Sequence, residues 1–89
     1  MIQRDLTIIN SLGLHARATA KLVQLLSGYR CQATLEARGR EVNAKSIMGV
    51  MLLAAATGTT VVLRVEGEDE EAAADAAQAL FERRFDEEA

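Results

Sequence analysis

The chain has 89 residues, which is enough for one domain and too few for two. Hydrophobic residues make up 49% of the sequence and aromatic residues only 3%, so the core must be built from aliphatic side chains. The net charge of −3 argues against nucleic acid as the main partner. A single cysteine, Cys31, and an N-terminus without an apolar signal region indicate a reducing compartment. We therefore expect a single cytoplasmic domain over residues 1–89.

The hydrophobic pattern predicts four strands and three helices. Alternating apolar and polar residues are typical of half-buried strands, and apolar spacings of three and four residues are typical of amphipathic helices. The predicted elements are a strand at 2–9, a helix at 16–27, strands at 31–37 and 40–43, a helix at 47–53, a strand at 60–66 and a helix at 69–85. The acidic residues 86–89 are expected to fray as a solvated end. The longest apolar run, residues 47–56, is about half as long as a membrane span requires, so membrane insertion is not expected.

In both long helices the apolar residues form a stripe that predicts the buried side. The stripe of the first helix contains Ala16, Ala20, Val23 and Leu26, with Leu22 beside it. The stripe of the last helix contains Ala73, Ala76, Ala77, Leu80 and Phe81. The last helix also begins with acidic residues at 69–71 and ends with Arg83 and Arg84, which suits the direction of a helix dipole.

The order of elements predicts an α+β fold. Half-polar strands favour an antiparallel sheet with one face in solvent, and the helices would cover the other face. The expected architecture is an open-faced two-layer sandwich in the order β-α-β-β-α-β-α. The hydrophobic pattern alone does not fix the order of the strands in the sheet.

The only histidine of the chain, His15, lies where a loop becomes a helix. It follows Gly13 and Leu14 and precedes Ala16 and Arg17. The first backbone N–H groups of a helix have no partner inside it and lie at the positive end of its dipole, so they bind phosphate readily. A histidine in this place is a candidate nucleophile, and the positive helix end favours its neutral form. A guanidinium such as that of Arg17 has planar donors that suit phosphoryl oxygens.

Two motifs resemble the signature regions of the HPr family, the histidine phosphocarriers of the bacterial phosphoenolpyruvate-dependent phosphotransferase system. The first is Gly-Leu-His-Ala-Arg at residues 13–17, and the second is Asn-Ala-Lys-Ser-Ile-Met-Gly-Val at residues 43–50. They lie about thirty residues apart in a chain of the right size, and the resemblance extends from the first strand to the last helix. It implies a four-stranded sheet ordered 1-4-2-3 with three helices on one face.

The resemblance also implies a carrier rather than a turnover enzyme. His15 would accept a phosphoryl group on Nδ1 from phosphorylated enzyme I and pass it to an enzyme IIA-type acceptor. Arg17 would neutralise phosphoryl charge, and the backbone of Ala16 and Arg17 would cradle the group. Ala18 replaces the proline that follows this arginine in most members of the family. Members without the proline resemble the nitrogen-related carrier NPr, so an NPr-like role in nitrogen regulation is an alternative.

Ser46 precedes the second predicted helix, where serine is a natural N-cap. It also resembles the serine that HPr kinase/phosphorylase modifies, so a binding module switched by phosphorylation of Ser46 is a further alternative. The helix that follows is almost continuously apolar and too short to bury every side. We expect Ile47, Met48 and Met51 to be exposed and to form a docking surface that accepts several partners.

Other chemistry has little support in the sequence. One histidine and one cysteine make no metal cluster of recognisable spacing, so neither a metal nor another cofactor is expected. Cys31 lies on the apolar face of its strand and is predicted to be part of the core. A small ligand-binding domain is disfavoured, because no apolar pocket with convergent polar groups can be identified. A purely regulatory homologue would be expected to lack His15, which this chain keeps. Because only one exposed apolar patch is expected, the protein is predicted to be a monomer.

Overall fold

Along residues 1–88, the part of the chain that the structure describes, four strands and three helices alternate in the predicted order. The structure is a computed structural model. The elements are β1 (Ile2–Thr7), α1 (Ala16–Ser27), β2 (Gln32–Ala37), β3 (Arg40–Asn43), α2 (Ile47–Leu52), β4 (Thr60–Glu66), α3 (Glu70–Glu82) and a 3-10 turn at Arg84–Asp86. All strand pairs are antiparallel, in the order β1-β4-β2-β3. The α+β prediction and the strand order implied by the resemblance are both confirmed.

The two faces of the sheet differ in chemistry, as the alternating pattern predicts. On the inner face Leu35 of β2 pairs in register with Leu63 of β4, and both side chains are buried. On the outer face the guanidinium of Arg64 lies 2.6 Å from the carboxylate of Glu36 and 3.0 Å from that of Glu41. Such partly exposed ion pairs add little stability, but they keep this face polar. The helices therefore pack on the inner face and leave the outer face to solvent.

The buried side of α1 differs from the predicted stripe. Its buried residues are Ala18, Thr19, Leu22, Val23 and Leu26. Ala16 is exposed and Ala20 is half-buried, so the predicted stripe is wrong at both positions. The reason is that Ala18 continues the row of leucines at intervals of four, and a sequence rich in alanine offers two adjacent apolar rows. In α3, likewise, Ala74 is buried and Ala76 only half-buried.

None of the helices within residues 1–88 has the length and apolar character needed to cross a membrane.

Three other predicted boundaries are wrong. β1 ends before residue 9, because the chain turns outward and leaves Ile9 exposed. α2 ends before residue 53, where Leu53 forms its C-cap. β2 begins after residue 31, because the N–H of Cys31 donates to the side chain of Asp69 instead of to a neighbouring strand. Each boundary differs from the prediction by one or two residues, and at β2 a contact outside the strand decides where it begins.

The largest correction to the predicted elements is at the end of α3. The helix ends at Glu82, so Arg83 is its C-cap and no basic residue lies in its last turn. The following Arg84, Phe85 and Asp86 have φ angles of 58°, 55° and 62°. This left-handed conformation is rare for residues other than glycine, and the hydrophobic pattern contains no sign of it.

The segment after α3 is held in place instead of fraying. Phe85 is fully buried in the core. The ammonium group of Lys21 in α1 donates to the carbonyl oxygen of Phe85 at 2.8 Å and lies 3.5 Å from the carboxylate of Asp86. The predicted fraying is therefore wrong for Asp86, and Ala89 lies outside the described residues.

A carboxylate joins the beginning of α3 to the beginning of β2. Asp69 accepts hydrogen bonds from the backbone N–H of Arg30 at 2.7 Å and of Cys31 at 2.9 Å. These bonds, that of Arg30 above all, hold the pKa of Asp69 below its ordinary value of 3.8. Burial raises the pKa of the Cys31 thiol above 9.0, and the nearby Asp69 adds to this shift. Cys31 is therefore a protonated core side chain, as predicted.

We expect Asp69→Asn to lower the free energy of unfolding at neutral pH, because the amide has no charge and accepts fewer N–H bonds. A carboxyl group whose pKa is lowered by folding stabilises the fold above its unfolded-chain pKa, and this effect is lost as the pH falls through the folded pKa. The difference in stability from the parent should therefore shrink below about pH 4. Urea unfolding at several pH values measures this difference, and Asp5→Asn at an exposed position is the matched control. A difference in the free energy of unfolding that does not change with pH would show that the charge of Asp69 is not what stabilises the fold.

Candidate functional site

His15 is the N-cap of α1, as its position between loop and helix predicts. Its backbone is extended, with φ −75° and ψ −179°, and its carbonyl oxygen accepts the N–H of Thr19 at 2.9 Å. The imidazole turns back over the first turn of the helix, where Nδ1 accepts the N–H of Arg17 at 3.4 Å. Nδ1 thus faces the positive end of the helix dipole. A group bound to Nδ1 would lie close to the N–H groups of Ala16 and Arg17, which have no acceptor inside the helix.

The loop before His15 is fixed against the segment between α2 and β4. Gly13 has a φ of 66°, and a Cβ atom there would lie 2.7 Å from the oxygen of Ala55 and 2.9 Å from the Cα of Ala56. The N–H of Leu14 donates to the same oxygen of Ala55 at 2.9 Å. Only glycine fits both this backbone conformation and this close approach. The contact fixes where His15 lies relative to α2.

Arg17 lies in the first turn of α1 with its side chain exposed. Within residues 1–88 its guanidinium makes no hydrogen bond or ion pair. Its charge nevertheless helps to lower the pKa of the Glu87 carboxyl group, so the guanidinium lies on the same side of the molecule as His15. The planar donors of the Arg17 guanidinium have no acceptor in the described chain and are therefore available to an anion.

Glu87 belongs to the site, although the sequence analysis assigns it to a solvated end. Its Oε2 lies 2.6 Å from Nε2 of His15, and its Oε1 accepts a hydrogen bond from the amide of Asn10 at 3.1 Å. The hydrogen bond with His15 is the main cause that holds the pKa of Glu87 below its ordinary value of 4.5. The side chain of Glu87 is only 13% exposed. The one signal in the sequence is Phe85, because phenylalanine is among the residue types most often buried, and a buried Phe85 brings the neighbouring Glu87 close to the core.

The site is an open depression on the surface. Its lining includes Leu12, His15, Arg17, Lys21 and Glu87, so both cationic and anionic side chains lie near the imidazole. Within residues 1–88 there is no group of three or more histidine, cysteine, aspartate or glutamate side chains placed to hold a metal ion.

Ser46 is the N-cap of α2, as predicted. Its Oγ accepts the N–H of Gly49 at 3.1 Å, and its carbonyl oxygen accepts the N–H of Val50 at 3.0 Å. The side chain is partly exposed. This geometry accounts for serine at the position as a cap, and phosphorylation of Ser46 stays a prediction.

The apolar side chains of α2 are exposed where the sequence predicts. Ile47, Met48 and Met51 all face solvent, and Met48 is 80% exposed. Leu52 and Leu12 are also exposed, although the sequence analysis does not single them out. Leu12 lies in a loop, where no periodicity indicates which side chains are buried. An exposed apolar surface of this kind is typical of a docking site, and its use by partners stays a prediction.

Comparisons with known proteins agree with the fold and identify the family. The sequence profile of the family described as "PTS HPr component phosphorylation site" matches residues 2–83. Phosphocarrier protein HPr of Xylella fastidiosa (strain Temecula1) is 60% identical over 87 residues, which is 98% of both chains. The crystal structure of HPr-C-His from Thermoanaerobacter tengcongensis superposes with a TM-score of 0.97 at 44% identity and covers 100% of both chains.

A third relative is Crh, a catabolite repression protein of Bacillus subtilis whose crystal structure is described as a dimer with a swapping domain. It is 40% identical, with a TM-score of 0.75, and the match covers 94% of this chain and 97% of that one. Fold and sequence together define a small phosphoryl carrier of the phosphotransferase system. The chain belongs to the HPr family.

We expect Ser46→Ala to lower the free energy of unfolding by about 1 kcal/mol, because the N–H of Gly49 loses its acceptor. Ser46→Thr keeps a hydroxyl group at the cap and should be less destabilising. Chemical denaturation of the parent and both variants measures the effect. A Ser46→Ala protein as stable as the parent would show that the cap contributes nothing.

Proposed function

We propose that the protein carries a phosphoryl group on Nδ1 of His15, which it takes from phosphorylated enzyme I and gives to an enzyme IIA-type acceptor. The observation that carries this proposal is the position of Nδ1 over the first turn of α1, where it accepts the N–H of Arg17. Membership of the HPr family supports the carrier role. His15 is first the acceptor and then the donor of the same group. The protein is therefore a carrier without a cofactor, not a turnover enzyme.

Transfer requires an electron pair on Nδ1 and stabilisation of the phosphoryl charge. The lone pair of Nδ1 attacks the phosphorus of the donor's phosphohistidine, and the donor's P–N bond breaks with its electron pair returning to the donor ring. The backbone N–H groups of Ala16 and Arg17 and the dipole of α1 then stabilise the charge on the phosphoryl oxygens. The guanidinium of Arg17 adds planar donors from the solvent side.

Partners must dock beside His15 for each transfer. The exposed side chains of Ile47, Met48 and Met51 supply an apolar surface, and unbranched methionines adapt to partners of different shape. Enzyme I and the enzyme IIA-type acceptor would use this surface in turn, and each complex must dissociate quickly. We place the carrier in the cytoplasm as a monomer of one domain, and gel filtration distinguishes this from a dimer such as that described for Crh.

A regulatory role through Ser46 is a second candidate function. The similarity to Crh, which is described as a catabolite repression protein, favours it. A phosphate added to Ser46 by an HPr kinase/phosphorylase would bring about two negative charges to the N-terminus of α2. These charges would lie next to the exposed Ile47 and Met48 and would weaken docking to acidic partners. An NPr-like carrier remains the alternative within the family, with Ala18 as the residue that favours it.

Incubation with enzyme I and phosphoenolpyruvate should add one acid-labile phosphoryl group to the parent and none to His15→Ala. Arg17→Ala should be phosphorylated about a hundredfold more slowly, because it lacks a group that stabilises the transferring charge. Arg30→Ala is the matched control, since Arg30 is an exposed arginine outside the site. Intact mass against time measures all four proteins, and sugar-type and nitrogen-type enzyme I are tested separately to identify the branch. Failure of both enzymes to phosphorylate the folded parent would rule out the carrier role.

Met48→Gln should raise the KM of enzyme I for the carrier about tenfold and leave kcat nearly unchanged, because it removes apolar contact made equally in the ground and transition states. Met48→Leu keeps the apolar contact and serves as the control. Steady-state kinetics with varied carrier concentration separates the two constants. Equal KM values for the parent and Met48→Gln would exclude Met48 from the docking surface.

A further inference from the structure

We propose that Glu87 is a positioning residue for His15, whose carboxylate keeps the ring proton on Nε2 and so leaves the lone pair of Nδ1 free to accept the phosphoryl group. This inference rests on the proposed function, because it takes Nδ1 as the acceptor atom. Within the described chain Glu87 touches the ring nitrogen that does not react, so it acts through His15 and not on the phosphoryl group.

The partners of the two ring nitrogens select the same tautomer. An ionised carboxylate can only accept, so at 2.6 Å from Oε2 of Glu87 the Nε2 atom must carry the hydrogen. A backbone N–H can only donate, so the Nδ1 atom that faces the N–H of Arg17 must carry the lone pair. In the opposite tautomer the N–H at Nδ1 would face the N–H of Arg17, so two donors would meet. Nε2 would then face the carboxylate of Glu87 as a second acceptor. Such fixing of one nitrogen by a hydrogen bond at the other is a general property of histidine sites.

The carboxylate of Glu87 is itself held by a buried side chain. Asn10 is fully buried, and its amide nitrogen donates to the carbonyl oxygen of Gly13 at 2.8 Å and to Oε1 of Glu87 at 3.1 Å. The same amide group therefore ties the loop that precedes His15 to the carboxylate that contacts its ring. Within residues 1–88 the amide oxygen of Asn10 has no hydrogen-bond partner, which is an unfavourable arrangement that persists beside the site.

The chain that leads to Glu87 is anchored on both sides. The buried ring of Phe85 lies 4.8 Å from the ring of Phe81 in α3, and Lys21 in α1 donates to the carbonyl oxygen of Phe85. The left-handed residues 84–86 direct the chain from the end of α3 back towards the N-terminus of α1. A strained conformation of this kind persists only where surrounding contacts determine it, and such conformations are common at functional sites.

The carboxylate has a larger effect after transfer than before it. When the lone pair of Nδ1 bonds to phosphorus, the proton stays on Nε2 and the imidazole ring becomes cationic. The donor ring meanwhile recovers its electron pair and becomes neutral, so the reaction moves no proton. A hydrogen bond between a cationic N–H and a carboxylate is stronger than one from a neutral ring. Glu87 should therefore favour the phosphorylated carrier as well as the reactive tautomer.

The test compares the parent with Glu87→Ala, Glu87→Gln and Glu88→Ala. Glu88 is the exposed neighbour of the same charge and is therefore the matched control. NMR of the nitrogen-15-labelled, unphosphorylated proteins at a pH where the ring is neutral detects the proton bound to Nε2 of His15. This proton should be shifted downfield and protected from exchange in the parent and in Glu88→Ala. It should be lost to exchange in Glu87→Ala and intermediate in Glu87→Gln, whose amide oxygen is a neutral acceptor.

A second measurement is the equilibrium between phosphorylated enzyme I and each carrier. The equilibrium constant for phosphorylation should fall about fivefold in Glu87→Ala and stay unchanged in Glu88→Ala. An Nε2 proton signal that survives in Glu87→Ala would overturn the proposal. An unchanged equilibrium constant in a variant that has lost the signal would also overturn it, since the contact would then be structural only. If the parent itself takes no phosphoryl group, the carrier function fails, and the ring signals still decide whether Glu87 holds the imidazole.

Discussion

The close approach of Gly13 to Ala55 is the constraint on which the rest of the site depends. Any side chain at residue 13 would push the loop away from the segment between α2 and β4. The loop would then lose the hydrogen bond from the N–H of Leu14 to the same carbonyl group, which helps to fix where α1 begins. Because this contact joins the loop before His15 to the segment that follows α2, it sets the position of the imidazole relative to the exposed apolar side chains of α2. A partner that docked on α2, as proposed, would therefore meet the imidazole at a set distance.

The parts of the fold that follow local periodicity were predictable from the sequence. Both ends of α1 and of β4 lie where the hydrophobic pattern changes, and the turn at Arg38 and Gly39 has the two positive φ angles that a tight hairpin requires. The parts that depend on tertiary contacts were not predictable. The buried row of α1 is decided by what packs against it, because alanines at 16, 18 and 20 look alike in the sequence. The left-handed turn at 84–86 similarly depends on burying Phe85.

The same difference between local sequence signals and tertiary contacts applies to the candidate site. His15, Arg17 and Ser46 could be found because each lies at the beginning of a helix, and helix beginnings have local sequence signals. Glu87 could not be found, because it is 72 residues from His15 in the chain and its contact has no periodicity. Asn10 was equally hidden, since an asparagine followed by a serine between two regular elements is far more often a turn residue than a buried donor. Residues that contact a candidate nucleophile from distant parts of the chain are thus harder to find from sequence than the candidate nucleophile itself.

The exposure of Met48 makes the surface of this carrier sensitive to oxidants. Met48 is 80% exposed and accessible to peroxide, and its oxidation gives a polar sulfoxide within the apolar surface proposed for docking. Such damage would weaken docking while leaving the imidazole, the N-terminus of α1 and the core unchanged. Methionine sulfoxide reductases reverse the reaction. The flow of phosphoryl groups through the protein would then follow the redox state of the cell through a side chain that takes no part in the chemistry.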